Sequence, residues 1–223
     1  MSEDMVKYYR ERAREYEEVY RWRDPYRQEE QAAMERALLE AFQGCRVLDV
    51  GCGTGYWTQR VSRVARSMVG VDINETVLEI ARSKDYYCPV EFRRMDAYQM
   101  ELDQRFTGLM ATFMLSHVKR SHIQDWLTHL HGFLEPGASV FFADNVYIEG
   151  VGGPLVVKEG DPNTYKLRTL KDGSQHLIVK NYFHVGELVQ IFGAHSRGGG
   201  PDSVFHGHCF WWVSYRYEPS PGG

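Results

Sequence analysis

Residues 47 to 57 read Val-Leu-Asp-Val-Gly-Cys-Gly-Thr-Gly-Tyr-Trp, and this stretch limits the possible fold more than any other. An apolar strand runs through Asp49 and Val50 straight into glycines at 51, 53 and 55. Glycine is needed where the backbone takes a positive φ or approaches a ligand closely. Three of them alternating with small residues leave a bare main-chain ledge. The segment from Tyr56 to Ala65 is then placed to start a helix whose first N–H groups face a bound molecule.

A dinucleotide fingerprint, G-x-G-x-x-G, requires a glycine where this chain carries Tyr56. Asp49 would also repel pyrophosphate, and it suits a ligand with positive charge at that spot. The pattern D-x-G-x-G-x-G resembles motif I of the class I S-adenosylmethionine-dependent methyltransferases, whose cofactor carries an ammonium and a sulfonium but no phosphate. The resemblance implies S-adenosylmethionine as cofactor and S-adenosylhomocysteine as product, held at Asp49, Gly51, Gly53 and Gly55.

A second apolar strand, residues 67 to 73, ends in Asp72, whose carboxylate can accept from both ribose hydroxyls; Ile73 follows, placed to pack on an adenine face. After a strand at 90–94 comes Met95-Asp96-Ala97. The resemblance implies that Asp96 bonds the exocyclic amine of adenine and that its neighbour Ala97 meets a ring nitrogen through its N–H. Taken singly, Asp72 also reads as a helix cap for 75–84 and Asp96 as a turn residue. Relatives often carry Phe-Asp on the fourth strand, where this chain has Phe106-Thr107-Gly108-Leu109.

Strand and helix patterns alternate after Gly44: strand 46–50, helix 56–65, strand 67–72, helix 75–84, strand 90–94, strand 108–114, helix 121–134 and strand 138–144. Such alternation implies an α/β doubly wound, mostly parallel sheet, seven-stranded by the resemblance. Glu135-Pro136-Gly137 reads as a sharp turn ahead of the fifth strand. Residues 1–43 read as an N-terminal helical cap: an amphipathic helix over the first 20 or so residues, a break at Asp24-Pro25, and a helix from Gln28 to Phe42. Residues 44–223 form the cofactor-binding domain. Within it, 146–183 read as a hairpin insertion after the fifth strand, because Asp172-Gly173 joins two alternating runs. A helix at 184–193, a glycine-rich loop at 198–200 and an aromatic strand at 209–215 complete the chain.

Composition narrows the function. At 223 residues the chain fits one domain, and 26 Lys and Arg against 30 Asp and Glu leave a net charge of −4. With no basic surplus, nucleic acid is not the expected partner. Four cysteines without C-x-x-C spacing argue against zinc, so no metal is expected, and free thiols fit a cytoplasmic setting. No apolar run reaches membrane-spanning length, and the acidic start lacks a signal-peptide core. The sequence assigns no oligomeric state.

In open α/β sheets, ligands lie beyond the carboxyl ends of the strands. That rule picks out Met114 to His117 and Asp144 to Tyr147, with Met114 beside the cofactor. His117 is the leading candidate for a general base or substrate contact; the plainer reading is a cap or a carbonyl partner. Asp144 and Asn145 follow, to bind a cationic substrate or take a proton. His206 and His208 read as a surface turn. Of Trp211 and Trp212, one belongs to the core. The resemblance implies that the N-terminal cap closes the site, with Tyr8, Tyr9, Tyr16, Tyr20 and Trp22 available; Tyr147 and Tyr165 are further wall residues, suited to an aromatic or amine substrate. The expected activity is transfer of a methyl group to a small-molecule acceptor, an O or N nucleophile, by in-line displacement. The rivals are a peptide or protein methyltransferase, a non-catalytic cofactor-binding sensor, and an NAD-linked dehydrogenase.

Overall fold

The computed structural model describes residues 3–13, 17, 24–193, 195–196 and 204–219. Its centre is β1 (Arg46–Val50), flanked in parallel by β2 (Ser67–Asp72) and β4 (Phe106–Thr112). With β3 (Val90–Arg94), β5 (Leu134–Asn145), β9 (Val204–His206) and β10 (Phe210–Arg216), these strands form one sheet in the order β3-β2-β1-β4-β5-β10-β9. β10 pairs antiparallel with both neighbours, and the remaining pairs are parallel. The order reverses between β1 and β4, which opens a crevice at their carboxyl ends.

Period-two alternation divides the core. Leu48, Val50, Leu109, Ala111, Val140 and Phe142 point to one face. There they meet Trp126, Leu127 and Leu130 of α5 (Ile123–His131) and Leu188 and Phe192 of α6 (Val185–Gly193). Val47, Met110, Phe141 and Ala143 point to the other. They pack on Met34 and Leu38 of α2 (Pro25–Ala41) and on Trp57 and Val61 of α3 (Tyr56–Val61). Each large apolar side chain so buried contributes roughly 1.5–3 kcal/mol. α4 (Glu75–Arg82) lies against β3 and β2.

Several boundaries differ from the sequence reading for local reasons. α2 starts at Pro25 rather than Gln28, because Asp24 caps it by accepting from the Arg27 N–H. β4 ends at Thr112, since Phe113 turns into the left-handed region (φ 61°), and Leu115–His117 form a 3₁₀ turn. Helix 121–134 becomes a 3₁₀ turn at Arg120–His122 followed by α5. Pro136-Gly137 is not a turn ahead of β5 but a bulge within it, where register jumps from Phe106↔Leu134 to Gly108↔Ser139. The inserted hairpin, β7 (Thr164–Thr169) with β8 (Gln175–Val179), gains a third strand, β6 (Leu155–Val157), to make a separate antiparallel sheet. His206 lies in β9, and Trp211 is the core residue of the tryptophan pair.

The N-terminal α1 (Glu3–Arg12) packs on β8 through Met5, Tyr8 and Ile178 and touches α4. Among the described residues, no helix is long and apolar enough to cross a membrane.

Candidate active site

A cavity opens at the carboxyl ends of β1, β2 and β4, and its floor is the glycine turn. Gly51 and Gly53 line it, with φ of 72° and 53°. The rest of the wall includes Asp72, Ile73, Ala97 and Met114. A Cβ at Gly53 would have no atom of the described residues within 4 Å, so the space above it is open. Gly55 serves the fold instead. A Cβ there would come within 2.5 Å of the Tyr86 hydroxyl, so its bareness lets α4 approach.

Two carboxylates stand below and beside this ledge. Asp72 Oδ2 accepts from the Gly53 N–H (3.1 Å) and Oδ1 from the Asn74 N–H (2.9 Å). Burial nevertheless pushes the carboxyl up to about 6, outweighing those hydrogen bonds. Asp49 is 1% exposed, and its Oδ2 accepts from the Thr58 hydroxyl (2.6 Å). Its Oδ1 has no hydrogen-bond partner among the described residues. Burial raises it to about 7, against the Thr58 bond and with help from the Asp72 charge. An orphaned buried carboxylate next to a second one fits a cationic ligand and rejects a phosphate. Asp96 accepts from the Tyr98 N–H (3.0 Å) in a turn; the cavity is lined by its neighbours Met95 and Ala97.

A second cavity adjoins the first, and Tyr9, Phe113 and His117 line both. His117 is 6% exposed. Its Nδ1–H donates to the Val179 carbonyl (2.7 Å), which leaves Nε2 to accept from the Tyr9 hydroxyl (2.7 Å). Burial, reinforced by the Lys180 ammonium, holds the imidazole down at about 3. It is therefore neutral, with both nitrogens engaged, rather than a free base.

Asp144 does not present an open carboxylate to a cationic substrate. It accepts from Lys180 Nζ (2.7 Å) and from the main-chain N–H of Ser116 (3.0 Å) and Asn145 (2.8 Å). Burial alone would raise it, but the Lys180 ammonium and the hydrogen bond from Ser116 hold it below the usual carboxylate range, so the pair is ionised.

The remaining expected wall residues fare unevenly. Tyr9 is in place. Tyr147 is 41% exposed and lines neither cavity, with its ring edge-on to Tyr182. Tyr165 points away, because β7 alternation puts it on the face opposite Lys166 and Arg168; its hydroxyl donates to Asp161 (2.5 Å). Tyr16, Tyr20, Trp22 and the 198–200 loop lie outside the described residues. Unforeseen were Arg12, Arg27, Arg168 and Lys180, all lining the second cavity. The signal existed in Lys166-Leu167-Arg168, two cations spaced to share one strand face.

Comparison with known proteins fits this geometry. Residues 47–137 match the Methyltransferase domain family. An O-methyltransferase of Pyrenophora dematioidea is 30% identical over 187 residues, covering 76% of this chain and 68% of that one. The chain belongs to the class I S-adenosylmethionine-dependent methyltransferases. A structure of DhpI in complex with SAH superposes with a TM-score of 0.75 at 26% identity, covering 98% of this chain and 97% of DhpI. A Rhizobium rhizogenes ubiquinone biosynthesis O-methyltransferase is 32% identical over 104 residues, 45% of this chain. This chain spans only 41% of that relative's length.

Proposed function

We propose that this chain transfers the methyl group of S-adenosylmethionine to a small-molecule acceptor, an oxygen or nitrogen nucleophile, and releases S-adenosylhomocysteine. One observation carries the reading: a cavity with a bare glycine floor and the Asp72 carboxyl in its wall, with Asp49 buried nearby, shares a wall with a second cavity able to hold an acceptor. The cofactor supplies a methyl group already activated on a sulfonium, so alignment supplies much of the rate. Asp72 takes the ribose hydroxyls, Ile73 packs on the adenine, and the Asp96–Ala97 segment meets its edge. Asp49 supplies negative potential behind the glycine turn. Tyr9, Phe113 and His117 stand where the two ligands meet and fix the approach of the nucleophile. Residues 1–43 act as a cap over residues 44–223. The four free thiols suit a cytoplasmic setting.

Titration calorimetry of the full chain against S-adenosylhomocysteine and against a pyridine dinucleotide tests this. Saturable heat from the first alone is expected, together with methyl transfer from labelled cofactor to a metabolite panel. Binding of the dinucleotide alone would overturn the reading.

A further inference from the structure

Phe113 is held in a conformation that its own side chain disfavours. Its φ of 61° lies in the left-handed region, which a bulky residue rarely adopts. Such strain persists only where the surroundings fix it, and Phe113 lines both cavities. Its N–H donates to the Ala143 carbonyl (2.7 Å), and its ring packs edge-to-face with that of Phe210, the centroids 5.7 Å apart and the planes at 72°. Phe210 is 4% exposed, lines the second cavity and carries the Arg27 guanidinium over its ring at 5.2 Å.

Phe210 is placed in turn by a carboxylate 180 residues away in the chain. Glu30 of α2 accepts at Oε1 from the His208 N–H (2.6 Å) and at Oε2 from the N–H groups of Cys209 (2.9 Å) and Phe210 (3.0 Å). Three consecutive main-chain N–H groups turned on one carboxylate form a nest, and the charge makes each bond stronger than a neutral one. Gly207 gives the carboxylate its room, since a Cβ there would come within 2.5 Å of both Glu30 oxygens. Arg27 and Glu30 are neighbours on one helix face, so one turn of α2 holds this segment by its ring and by its main chain. β10 is already paired with β5 from Phe210 to Arg216. The clamp therefore acts on the first residue of the strand rather than on the strand as a whole.

We propose that Glu30 is a positioning residue for methyl transfer. Through the main chain of residues 208–210 it seats the Phe210 ring, and Phe210 holds Phe113 at the boundary between the two cavities. This rests on the methyl-transfer reading above. A wall displaced by about an ångström is enough to cost rate. The glycine turn and Asp72 belong to β1 and β2 and keep their place without the clamp.

Glu30→Ala and Gly207→Ala reach the same carboxylate by different routes. Gly207 lies outside the left-handed region, so alanine there displaces the flexible end of Glu30 and leaves the backbone unstrained. The full chain, saturated with S-adenosylhomocysteine, is labelled with ring-¹³C phenylalanine, and the Phe113 and Phe210 signals are assigned by Phe→Leu substitution. Both variants shift or broaden these two signals, while those of Phe142 and Phe192 in the other half of the core stay in place. Calorimetric affinity for S-adenosylhomocysteine stays within about twofold of native. In transfer of labelled methyl to the metabolite panel, kcat falls by about tenfold to a hundredfold with cofactor KM unchanged. Glu30→Gln, which keeps one acceptor oxygen, recovers part, and Glu29→Gln at the exposed neighbouring position behaves as native. The double variant is no worse than Glu30→Ala alone, because no carboxylate is left for the alanine at 207 to displace. Absence of S-adenosylhomocysteine heat in the native chain marks failure of the methyl-transfer reading, and this proposal falls with it. Normal heat with unmoved Phe113 and Phe210 signals in both variants overturns this proposal alone, as do additive losses in the double variant.

Discussion

If Asp49 and Asp72 serve the cofactor as proposed, its affinity should depend on pH in a direction opposite to apo stability. Both are carboxylates raised above the unfolded value, to about 7 and about 6. In the empty protein each favours the protonated form, so their contribution to folding is fully present below about pH 4 and lost as pH rises through 6 to 7. For Asp49, fully buried, the difference between 7 and the model-compound 3.8 corresponds to about 4 kcal/mol. A bound cation reverses the preference, because the site then holds the ionised form. If binding requires ionised Asp49 alone, affinity at pH 5.5 falls below that at pH 8 by about thirtyfold. Requiring ionised Asp72 as well extends this to about a hundredfold. Calorimetry with S-adenosylhomocysteine and S-adenosylmethionine in buffers of different ionisation enthalpy reads both the affinity and the protons released near pH 6. Asp49→Asn should flatten the profile, weaken binding at pH 8 and stabilise the empty protein there. A flat affinity between pH 5.5 and 8 with no proton release would refute the assignment of a cation to this ledge.

Asp144→Asn strands the buried Lys180 ammonium and should cost about 3–5 kcal/mol in denaturant unfolding, partly recovered by adding Lys180→Met; no loss would mean the pair is not ionised. Tyr9→Phe leaves His117 Nε2 without its donor (2.7 Å in the native chain). A buried acceptor unmatched costs about 1–3 kcal/mol, which should appear as lower kcat/KM with cofactor affinity retained; unchanged kinetics would remove Tyr9 from the transfer site. Gly55→Val drives a branched side chain into Tyr86 and Ala81 at φ 75°. Overpacking and the left-handed backbone together should cost about 2–5 kcal/mol, seen as a lowered melting temperature.

Most of the first cavity's lining was legible because its parts are local. Gly51 and Gly53 lie within three residues of the end of β1, Asp72 ends β2 and Ile73 follows it, so the strands place them. The second cavity was not legible, for a physical reason. Lys180 reaches Asp144 across 36 residues, and Tyr9 reaches His117 across 108. His117 looked like a base by position, and only its two partners make it a neutral acceptor. Asp144 looked like a cation site until Lys180 filled that role. Gly55 belongs to the motif, yet its neighbour is Tyr86, which no local pattern connects to it.

The sequence by itself determined the alternating α/β sheet and the acidic glycine turn, because period-two burial and glycine's backbone freedom act within a few residues. Only the tertiary structure decided what the second cavity is. Packing α1 and the insertion sheet over the strand ends gathers Arg12, Arg168 and Lys180 from distant segments, and the charge of that cavity exists only once those segments meet.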